Sequence, residues 1–347
     1  MKAARVYKID DLRIEDVSDP KCPAGGLVID VGACAVCGTD VKVLHHGHRM
    51  IVFPRITGHE VSGTISDVSP GLEGYEVGDR VAVAAAVPCG ECHMCRRGVP
   101  GMCENLTAMG YHYDGGFAER MAVPAVAVRT GCVNRVPDGV SFEAAALAEP
   151  LACCVNAQEL IWLGLGHTVV VIGAGPIGCL NVALARARGA TRIIMMDTSD
   201  VRLEMSRVAA PDDAVNPATV DPIAFVMDAT GGRGADRVIV ACGSGKAQEM
   251  SLKLVAKRGV VNFFGGLPKD ASNIQFDSNL THYREFYVIG NHGSSPDHNA
   301  LALDLIGAGK IDTARLVTHR FTIDETRLAI DAAEKAEGLK VVVSGTS

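Results

Sequence analysis

The chain has 347 residues, a length that predicts two domains at about 100 to 200 residues each and excludes a small scaffold held together by disulfides. Hydrophobic residues make up 48% of the chain, charged residues 21%, and 38 residues are glycine, so an ordered, turn-rich globular protein is predicted. The net charge of −7 excludes the basic footprint of a protein that binds nucleic acid or an anionic membrane.

The first ten residues carry four charges and no apolar run, so no secretory signal is predicted and the cytoplasm is the expected compartment. Residues 160–185 have no formal charge, as a membrane span would, but glycines and a proline interrupt them. A buried strand followed by a glycine turn explains this stretch better. In a reducing compartment the twelve cysteines are expected to remain thiols or to bind metal.

The first half of the chain contains short β-like segments separated by glycine or proline, which predicts a small, irregular β domain. The segments are residues 27–31, 60–68, 80–84 and 117–123. The domain boundary is predicted near Leu151, because Glu149-Pro150 breaks one element and a helix follows.

From residue 168 the pattern changes to apolar strand, glycine turn, Ala-rich helix and apolar strand, which is typical of a βαβ unit in a parallel sheet. Five or six parallel strands fit the doubly wound α/β class. The predicted elements are strands at 168–172, 191–197, 237–242, 259–264 and 286–290, and helices at 176–188, after Asp200 and after Ser244. The tail after residue 291, with elements at 296–306, 316–321 and 324–336, either caps this sheet or returns to the first domain.

The clearest motif is a cluster of four cysteines with two, two and seven residues between them: Cys89, Cys92, Cys95 and Cys103. Four thiolates this close can surround one Zn²⁺ tetrahedrally, and Gly90, Gly98 and Gly101 let the backbone wrap around the ion. The closed shell leaves no position for a substrate, so a structural role is predicted. An iron–sulfur cluster would have a different spacing before its fourth cysteine, and a zinc ribbon that binds nucleic acid would carry more basic residues than Arg96-Arg97.

A second group of metal-ligating residues is dispersed over Cys37-Gly38-Thr39-Asp40, Gly58-His59-Glu60 and Glu149-Pro150. One thiolate, one imidazole and one or two carboxylates can hold Zn²⁺ with a position open for water or substrate. An open zinc is a Lewis acid that lowers the pKa of a bound hydroxyl, so that hydride can leave the carbon. Each residue alone is a weak signal, since a lone Cys or His is more often a packed or hydrogen-bonded side chain.

A third motif follows the strand at 168–172, in the order Gly173-Ala174-Gly175-Pro176-Ile177-Gly178. The glycines permit a tight turn and let a pyrophosphate approach the N-terminus of the next helix. Asp197 lies 19 residues after Gly178, where a carboxylate accepts hydrogen bonds from the adenosine ribose and repels a 2′-phosphate. NAD is therefore the predicted cofactor.

With these three motifs in this order, the chain resembles the zinc-dependent medium-chain alcohol dehydrogenases over essentially its whole length. Glu149-Pro150-Leu151 is similar to the polyol and threonine dehydrogenase branch, in which Glu replaces a Cys ligand. The resemblance implies a GroES-like catalytic domain, residues 1–151 and 292–347, and a Rossmann NAD-binding domain, residues 152–291. It also implies a homo-oligomer, either a tetramer or a dimer.

The resemblance further implies a role for individual residues. Catalytic zinc lies near Cys37 and His59, with Glu60 as a ligand and Glu149 as a ligand directly or through water, and Thr39 passes the substrate proton onward. With the four-cysteine lobe, this makes two zinc ions per chain. Arg202 matches a basic residue that touches the adenosine ribose, and the backbone at Cys242-Gly243 and Phe264-Gly265-Gly266 is expected to flank the ribose and the nicotinamide.

Two features near the metal ligands need comment. Many relatives have His where this chain has Lys42, which leaves the exit of the proton relay open. One of His45, His46 and His48 replaces it, or all three are simply solvated. The glycines of Asp114-Gly115-Gly116 are expected to serve a turn.

The leading functional hypothesis is an NAD- and zinc-dependent dehydrogenase that oxidises a secondary alcohol of a polyol, sugar, cyclitol or amino sugar to a ketone. The last step, the substrate class, rests on family analogy. L-Threonine oxidation at its 3-hydroxyl is the nearest alternative, and a nucleotide-binding protein without catalytic activity is another.

Overall fold

A computed structural model describes residues 1–345, which form two compact units. The first unit joins Met1–Ala152 to the segment that begins at Gly293, and the second comprises Cys153–His292. The chain therefore leaves the first unit once and returns to it.

Strands dominate the first stretch of the first unit, where short runs rich in β-branched residues are bounded by glycine and proline. The strands are β1 (Lys2–Lys8), β2 (Asp11–Asp16), β3 (Leu27–Ala35), β4 (Arg55–Ile56), β5 (Glu60–Val68), β6 (Arg80–Val83), β7 (Ala86–Val87), β8 (Thr107–Ala108), β9 (Arg120–Val123) and β10 (Val133–Arg135). The helices are α1 (Gly38–His46), α2 (His93–Arg96), α3 (Ala125–Arg129), α4 (Phe142–Ala146) and α5 (Ala148–Leu160), the last of which continues past residue 152.

The second unit is a doubly wound sheet in which all six strands are parallel, in the order β13-β12-β11-β14-β15-β16. Alternate residues of β11 pack into two different apolar clusters, one on each face of the sheet, as a near-continuous apolar strand predicts. The strands are β11 (Thr168–Ile172), β12 (Arg192–Met196), β13 (Asp213–Val215), β14 (Ala235–Val240), β15 (Val255–Phe263) and β16 (Tyr287–Gly290). The helices are α6 (Pro176–Ala187), α7 (Asp200–Ser206), α8 (Pro222–Ala229), α9 (Gly245–Leu254) and α10 (Ser278–Arg284).

The returning segment adds two strands to the main sheet of the first unit. Its elements are α11 (Pro296–Gly307), β17 (Val317–Thr322), α12 (Thr326–Glu334) and β18 (Lys340–Ser344). The strand order is β10-β6-β5-β3-β18-β17, and β9 also pairs with β3. Ala35 at the end of β3 therefore pairs with Glu60 of β5 on one side and with Val342 of β18 on the other.

The predicted class, a β-rich domain with a doubly wound parallel sheet, is confirmed, while several element limits differ. Strand β3 runs on to Ala35, and β13 was not predicted because it has only three residues. The predicted helix at 324–336 is a 3₁₀ turn, Ile323–Glu325, followed by α12. The expected break at Glu149-Pro150 is wrong, because both residues lie in the first turn of α5, where the missing N–H of proline costs no hydrogen bond.

The uncharged stretch 160–185 forms the end of α5, the strand β11 and most of α6. The predicted buried strand with a glycine turn is therefore confirmed. No helix within residues 1–345 has both the length and the apolar character that a membrane span requires.

Candidate metal centres and dinucleotide site

Asp40 connects the two segments that carry the first candidate metal ligands. Cys37 caps the start of α1, and its backbone N–H donates to Asp40 Oδ2 at 2.9 Å. The backbone N–H of Gly58 donates to Asp40 Oδ1 at 3.3 Å. Asp40 is 3% exposed. Since Gly58 precedes His59, this one carboxylate fixes Cys37 and His59 relative to each other, as outer-shell groups of metal sites do.

Cys37, His59 and Glu60 form a compact group of donor atoms. The thiol sulfur, an imidazole nitrogen and a carboxylate oxygen all lie within 4.8 Å of one another. His59 and Glu60 are almost fully buried. His59 Nδ1 is buried without a hydrogen-bond partner, and Asp40 Oδ1 is 3.6 Å away from it. A thiolate, an imidazole with an unsatisfied nitrogen and a carboxylate are suitable ligands for zinc, so these residues fit the ion.

The carboxylate of Glu60 also has a protein partner. Lys340 Nζ lies 2.8 Å from Oε1 and 2.5 Å from Oε2 of Glu60. Burial by itself lowers the pKa of the Lys340 ammonium, but the Glu60 carboxylate, followed by Cys37 and Glu149, raises this pKa above its ordinary value. The pair therefore places the Lys340 ammonium beside the donor group.

Glu149 and Thr39 lie at the margin of this group. Glu149 is in the first turn of α5, and its carboxylate is not among the donors that approach within 4.8 Å. The structure therefore brings Cys37, His59 and Glu60 into one compact group, of which Glu149 is not a member. Thr39 Oγ1 lies 3.5 Å from Cys37 Sγ, so its hydroxyl is beside the thiol.

Tyr111 lies against His59, with ring centroids 5.5 Å apart. Burial raises the pKa of the Tyr111 hydroxyl above its ordinary value, so it is a neutral phenol. The Tyr111 ring also contacts that of His48, with centroids 5.1 Å apart. His45 is held by Asp10 at 2.5 Å, whereas Lys42 and His46 are exposed. Of the three histidines considered for the relay, His48 is the one whose ring contacts Tyr111, which in turn contacts His59.

The four cysteines of the predicted structural site also come together, each with its sulfur within 4.8 Å of the others. Backbone N–H groups donate to their sulfurs, for example from Cys92 to Cys89 at 3.3 Å and from Asn105 to Cys103 at 3.3 Å. Such donors, those of Cys95 and Glu104 above all, lower the pKa of Cys92 to about 6. The four cysteines form no disulfide, and His93 beside the cluster is exposed. The donors fit a zinc ion with a closed shell.

The glycines of the four-cysteine lobe are required either by backbone conformation or by close packing. Gly90 and Gly98 adopt positive φ values of 83° and 76°, which wraps the backbone around the sulfurs as predicted. Gly101 does not, and a Cβ there would lie 3.0 Å from the carbonyl oxygen of Ser294. Close packing against the Ser294 backbone therefore favours glycine at this position.

The glycine motif of the second unit links β11 to α6. Gly173 has a φ of 111°, and a Cβ at Gly178 would lie 1.8 Å from the carbonyl oxygen of Gly173, so helix and strand pack without room for a side chain. A Cβ at Gly175 would meet nothing within 4 Å. Gly175 caps α6, and Pro176 and Ile177 form its first turn. Open space at a helix N-terminus suits a pyrophosphate.

Asp197 follows β12 and is held by the backbone on both oxygens. Ala174 N–H donates to Oδ2 at 2.8 Å, and Ser199 N–H donates to Oδ1 at 2.9 Å. A cavity of about 390 Å³ is lined by residues that include Gly173, Asp197 and Lys246. The acid is thus fixed beside the glycine loop in a cavity that can hold an adenosine.

The remaining predicted dinucleotide contacts lie at the carboxyl ends of neighbouring strands. Cys242 and Gly243 follow β14, and Phe264 and Gly265 follow β15, with a Gly265 Cβ only 2.4 Å from the carbonyl oxygen of Cys242. Arg202 is in α7, where its backbone N–H donates to Ser199 Oγ at 3.3 Å. The strand order reverses beside β11 and β14, and dinucleotides bind at such a switch point.

Comparison with known proteins identifies the family. Residues 23–134 match the alcohol dehydrogenase GroES-like domain, and residues 176–308 match the zinc-binding dehydrogenase domain. The L-threonine 3-dehydrogenase of Pyrococcus abyssi is 36% identical over 312 residues, which cover 88% of this chain and 87% of the relative. The chain belongs to the zinc-binding dehydrogenases of the alcohol dehydrogenase superfamily. The predicted resemblance is confirmed.

Two further comparisons support this assignment. The sorbitol dehydrogenase of Halalkalibacterium halodurans is 32% identical over 333 residues and covers 95% of both chains. A crystal structure of a zinc-binding dehydrogenase from Sinorhizobium meliloti bound to NADP has a TM-score of 0.91 and 29% identity, and covers 99% of this chain and 98% of that one. This protein is accordingly a zinc-dependent oxidoreductase that uses a nicotinamide dinucleotide.

Sequence reasoning gave no role to Asp40 or Lys340. Asp40 stands in the same motif as Cys37, and its position as the third residue of a helix was an available signal. Lys340 carried no such signal, because it reaches the site through pairings between distant segments. A Cβ at Gly115 would lie 2.1 Å from the carbonyl oxygen of Gly58, so a close approach between two backbones also requires glycine at this position.

Proposed function

We propose that the protein oxidises a secondary alcohol of a polyol, sugar, cyclitol or amino sugar to a ketone, with NAD as the hydride acceptor. The buried group of Cys37, His59 and Glu60 carries this proposal, because its donor atoms lie within 4.8 Å of one another. A mixed donor set leaves a position for a substrate oxygen, whereas the closed four-cysteine shell does not.

When bound, zinc supplies a Lewis acid that acidifies a hydroxyl group, and the dinucleotide supplies the hydride acceptor. Cys37 and His59 hold the metal, and Asp40 keeps their two segments together through its bonds to Cys37 and Gly58. Thr39, whose Oγ1 lies 3.5 Å from Cys37 Sγ, accepts the proton that leaves the substrate. Glu60 is a further ligand, and Glu149 binds directly or through water.

The preference for NAD over NADP rests on Asp197. Backbone donors at 2.8 and 2.9 Å hold its two oxygens in place beside the adenosine cavity. A fixed negative charge accepts hydrogen bonds from the ribose hydroxyls and repels a 2′-phosphate. We therefore expect a higher kcat/KM with NAD than with NADP.

L-Threonine is the second candidate substrate. The observation in its favour is the 36% identity to the L-threonine 3-dehydrogenase of Pyrococcus abyssi, compared with 32% for the sorbitol dehydrogenase. Threonine also carries a secondary alcohol, so the same zinc and proton chemistry applies to it. It differs from a polyol by a carboxylate and an ammonium group, which need partners of opposite charge.

A substrate screen tests the proposal. Zinc-loaded protein is incubated with NAD or NADP and with sorbitol, galactitol, inositol or L-threonine, and the absorbance of the reduced dinucleotide is followed. Turnover of a polyol supports the first function and turnover of threonine alone supports the second. The His59→Ala variant is the control, since its activity must vanish. A loaded wild type that oxidises none of these alcohols with either dinucleotide contradicts the proposal.

We further propose that the protein acts as a homo-oligomer in the cytoplasm. Four cysteines are gathered as candidate metal ligands rather than paired as disulfides, which supports a reducing compartment. In the second unit, two exposed aromatic rings lie at the edge strand β16. Tyr287 of this strand is 50% exposed and contacts Trp162, which is 61% exposed. Aromatic residues are enriched at subunit interfaces, so this edge supports an oligomer. Light scattering behind a sizing column measures the mass, and a monomer would contradict the oligomer.

A further inference from the structure

Tyr111 is the aromatic side chain that lies against the candidate metal ligand His59. The two ring centroids are 5.5 Å apart with an angle of 57° between the planes. The Tyr111 ring also meets His48 edge-on, at 5.1 Å and 75°. His48 is itself fixed, because the backbone N–H of Met50 donates to its Nδ1 at 3.3 Å. The phenol therefore contacts two imidazole rings, one of which belongs to the metal group.

The backbone around Tyr111 is bound to the segment that leads into His59. Gly115 N–H donates to the carbonyl oxygen of Ile56 at 2.8 Å, and Gly116 N–H donates to that of Gly58 at 2.9 Å. A Cβ at Gly110 would lie 2.9 Å from the carbonyl oxygen of Gly58, so the two backbones are in direct contact. Tyr111 is thus placed by the same contacts that place His59, and its position does not depend on a mobile lid.

The hydroxyl of Tyr111 is available to a ligand. Within residues 1–345 it makes no hydrogen bond to protein, and it is not one of the buried polar atoms that lack a partner, so solvent still reaches it. A phenol both donates and accepts a hydrogen bond. Because Tyr111 lies against the candidate metal ligand His59, its hydroxyl is close to the groups bonded to the reacting carbon of a bound substrate.

We propose that Tyr111 contacts the substrate and determines its specificity, through a hydrogen bond between its hydroxyl and an oxygen on the carbon next to the one that is oxidised. This inference rests on the proposed function. A substrate that binds through its reacting hydroxyl presents a neighbouring hydroxyl one carbon away, toward the ligands that flank the metal. A site that hydrogen-bonds this group discriminates against an alcohol that lacks it, because the phenol then stays unpaired in a desolvated site.

The test compares 2,3-butanediol with 2-butanol, which differ by the neighbouring hydroxyl alone, in wild type and in Tyr111→Phe. Phenylalanine keeps the ring contacts to His48 and His59 and removes the hydrogen bond. We expect kcat/KM for the diol to fall by about tenfold and that for 2-butanol to stay within about twofold. Zinc content and melting temperature should equal those of the wild type, which separates the specificity role from a structural one.

Tyr113→Phe is the matched control. Tyr113 is two residues away and lines a surface cavity of about 480 Å³ together with Arg5 and Asp114. This variant should treat both alcohols as the wild type does. An equal loss on both alcohols in Tyr111→Phe, or no loss on either, overturns the inference while leaving the proposed dehydrogenase function intact. A wild type that oxidises neither alcohol, nor any alcohol of the wider screen, overturns the proposed function and the inference with it.

Discussion

Lys340 and Glu60 are 280 positions apart in the chain, yet they form a buried ion pair with nitrogen–oxygen distances of 2.8 and 2.5 Å. Their side chains are 4% and 1% exposed. The strand order explains the contact, because β3 lies between β5, which begins with Glu60, and β18, which begins with Lys340. Ala35, two residues before Cys37, pairs with Glu60 on one side and with Val342 on the other. The first residues of β5 and β18 therefore both lie near Cys37.

Replacing Lys340 with methionine should destabilise the protein. Glu60 then remains as a buried carboxylate without its counter-charge, and breaking a buried pair on one side costs about 3–5 kcal/mol of the free energy of unfolding. We expect a lower melting temperature in the metal-free protein, where no bound ion replaces the lost positive charge. Differential scanning calorimetry of the metal-free protein measures this effect.

Two variants control this experiment. In the double variant Lys340→Met with Glu60→Gln no charge is left unpaired, so most of the lost stability should return. Lys253→Met removes an exposed lysine and should change stability by no more than about 0.5 kcal/mol. If Lys340→Met were as stable as Lys253→Met, the ion pair would have no role in stabilising the fold.

Loss of Cys37 or His59 should separate turnover from dinucleotide binding. Both residues belong to the first unit and the glycine motif belongs to the second, so Cys37→Ser or His59→Ala should abolish turnover and leave NAD affinity near normal. Steady-state kinetics and fluorescence titration with NADH measure the two quantities. Cys22→Ser, at a cysteine outside the metal groups, is the matched control and should keep its activity. Retained turnover in His59→Ala would show that His59 is not a catalytic ligand.

How much of the site the sequence predicts depends on how far apart along the chain the site residues lie. The four-cysteine group and the glycine motif each lie within one short segment, so their spacing alone indicated their chemistry. The group of Cys37, His59 and Glu60 required the family resemblance, since its members lie on separate segments. No spacing predicted Lys340, because only the register of β3 with β5 and β18 brings it to Glu60.

Tyr111 illustrates a second limit of sequence reasoning. Glycines at 110 and 115 were visible, but the reason for them is the carbonyl oxygen of Gly58, which lies across a contact between two loops. Local pattern rules assign such glycines to turns, as they did for Gly115. A close approach between backbones distant in sequence leaves no periodic signal, so the sequence does not show that Tyr111 lies against His59.

Replacement of Asp197 should change the cofactor preference. Asp197→Ala removes the charge that repels a 2′-phosphate, and Thr198→Arg adds a partner for this phosphate in the same cavity. The double variant should raise kcat/KM for NADP relative to NAD by about tenfold or more. Asp200→Asn, at an exposed neighbouring carboxylate bound by Asn216, is the control and should leave the ratio unchanged. An unaltered ratio in the double variant would refute the ribose role of Asp197.

The four-cysteine lobe should bind a second zinc ion whose loss affects stability more than chemistry. Wild-type protein is expected to hold two zinc ions per chain and Cys95→Ser one, because three thiolates no longer close the tetrahedral shell. Metal binding contributes to folding free energy, so this variant should melt at a lower temperature, while the turnover of each correctly folded molecule falls by less than about twofold. Cys132→Ser, at a buried cysteine outside both metal groups, should keep both ions and shows what an ordinary cysteine substitution costs.

The opposite pattern in Cys95→Ser, normal melting with lost turnover, would make the lobe part of the catalytic machinery. A wild type with one zinc ion would instead leave the mixed group of Cys37, His59 and Glu60 without metal and would favour a protein that binds nucleotide without catalysis.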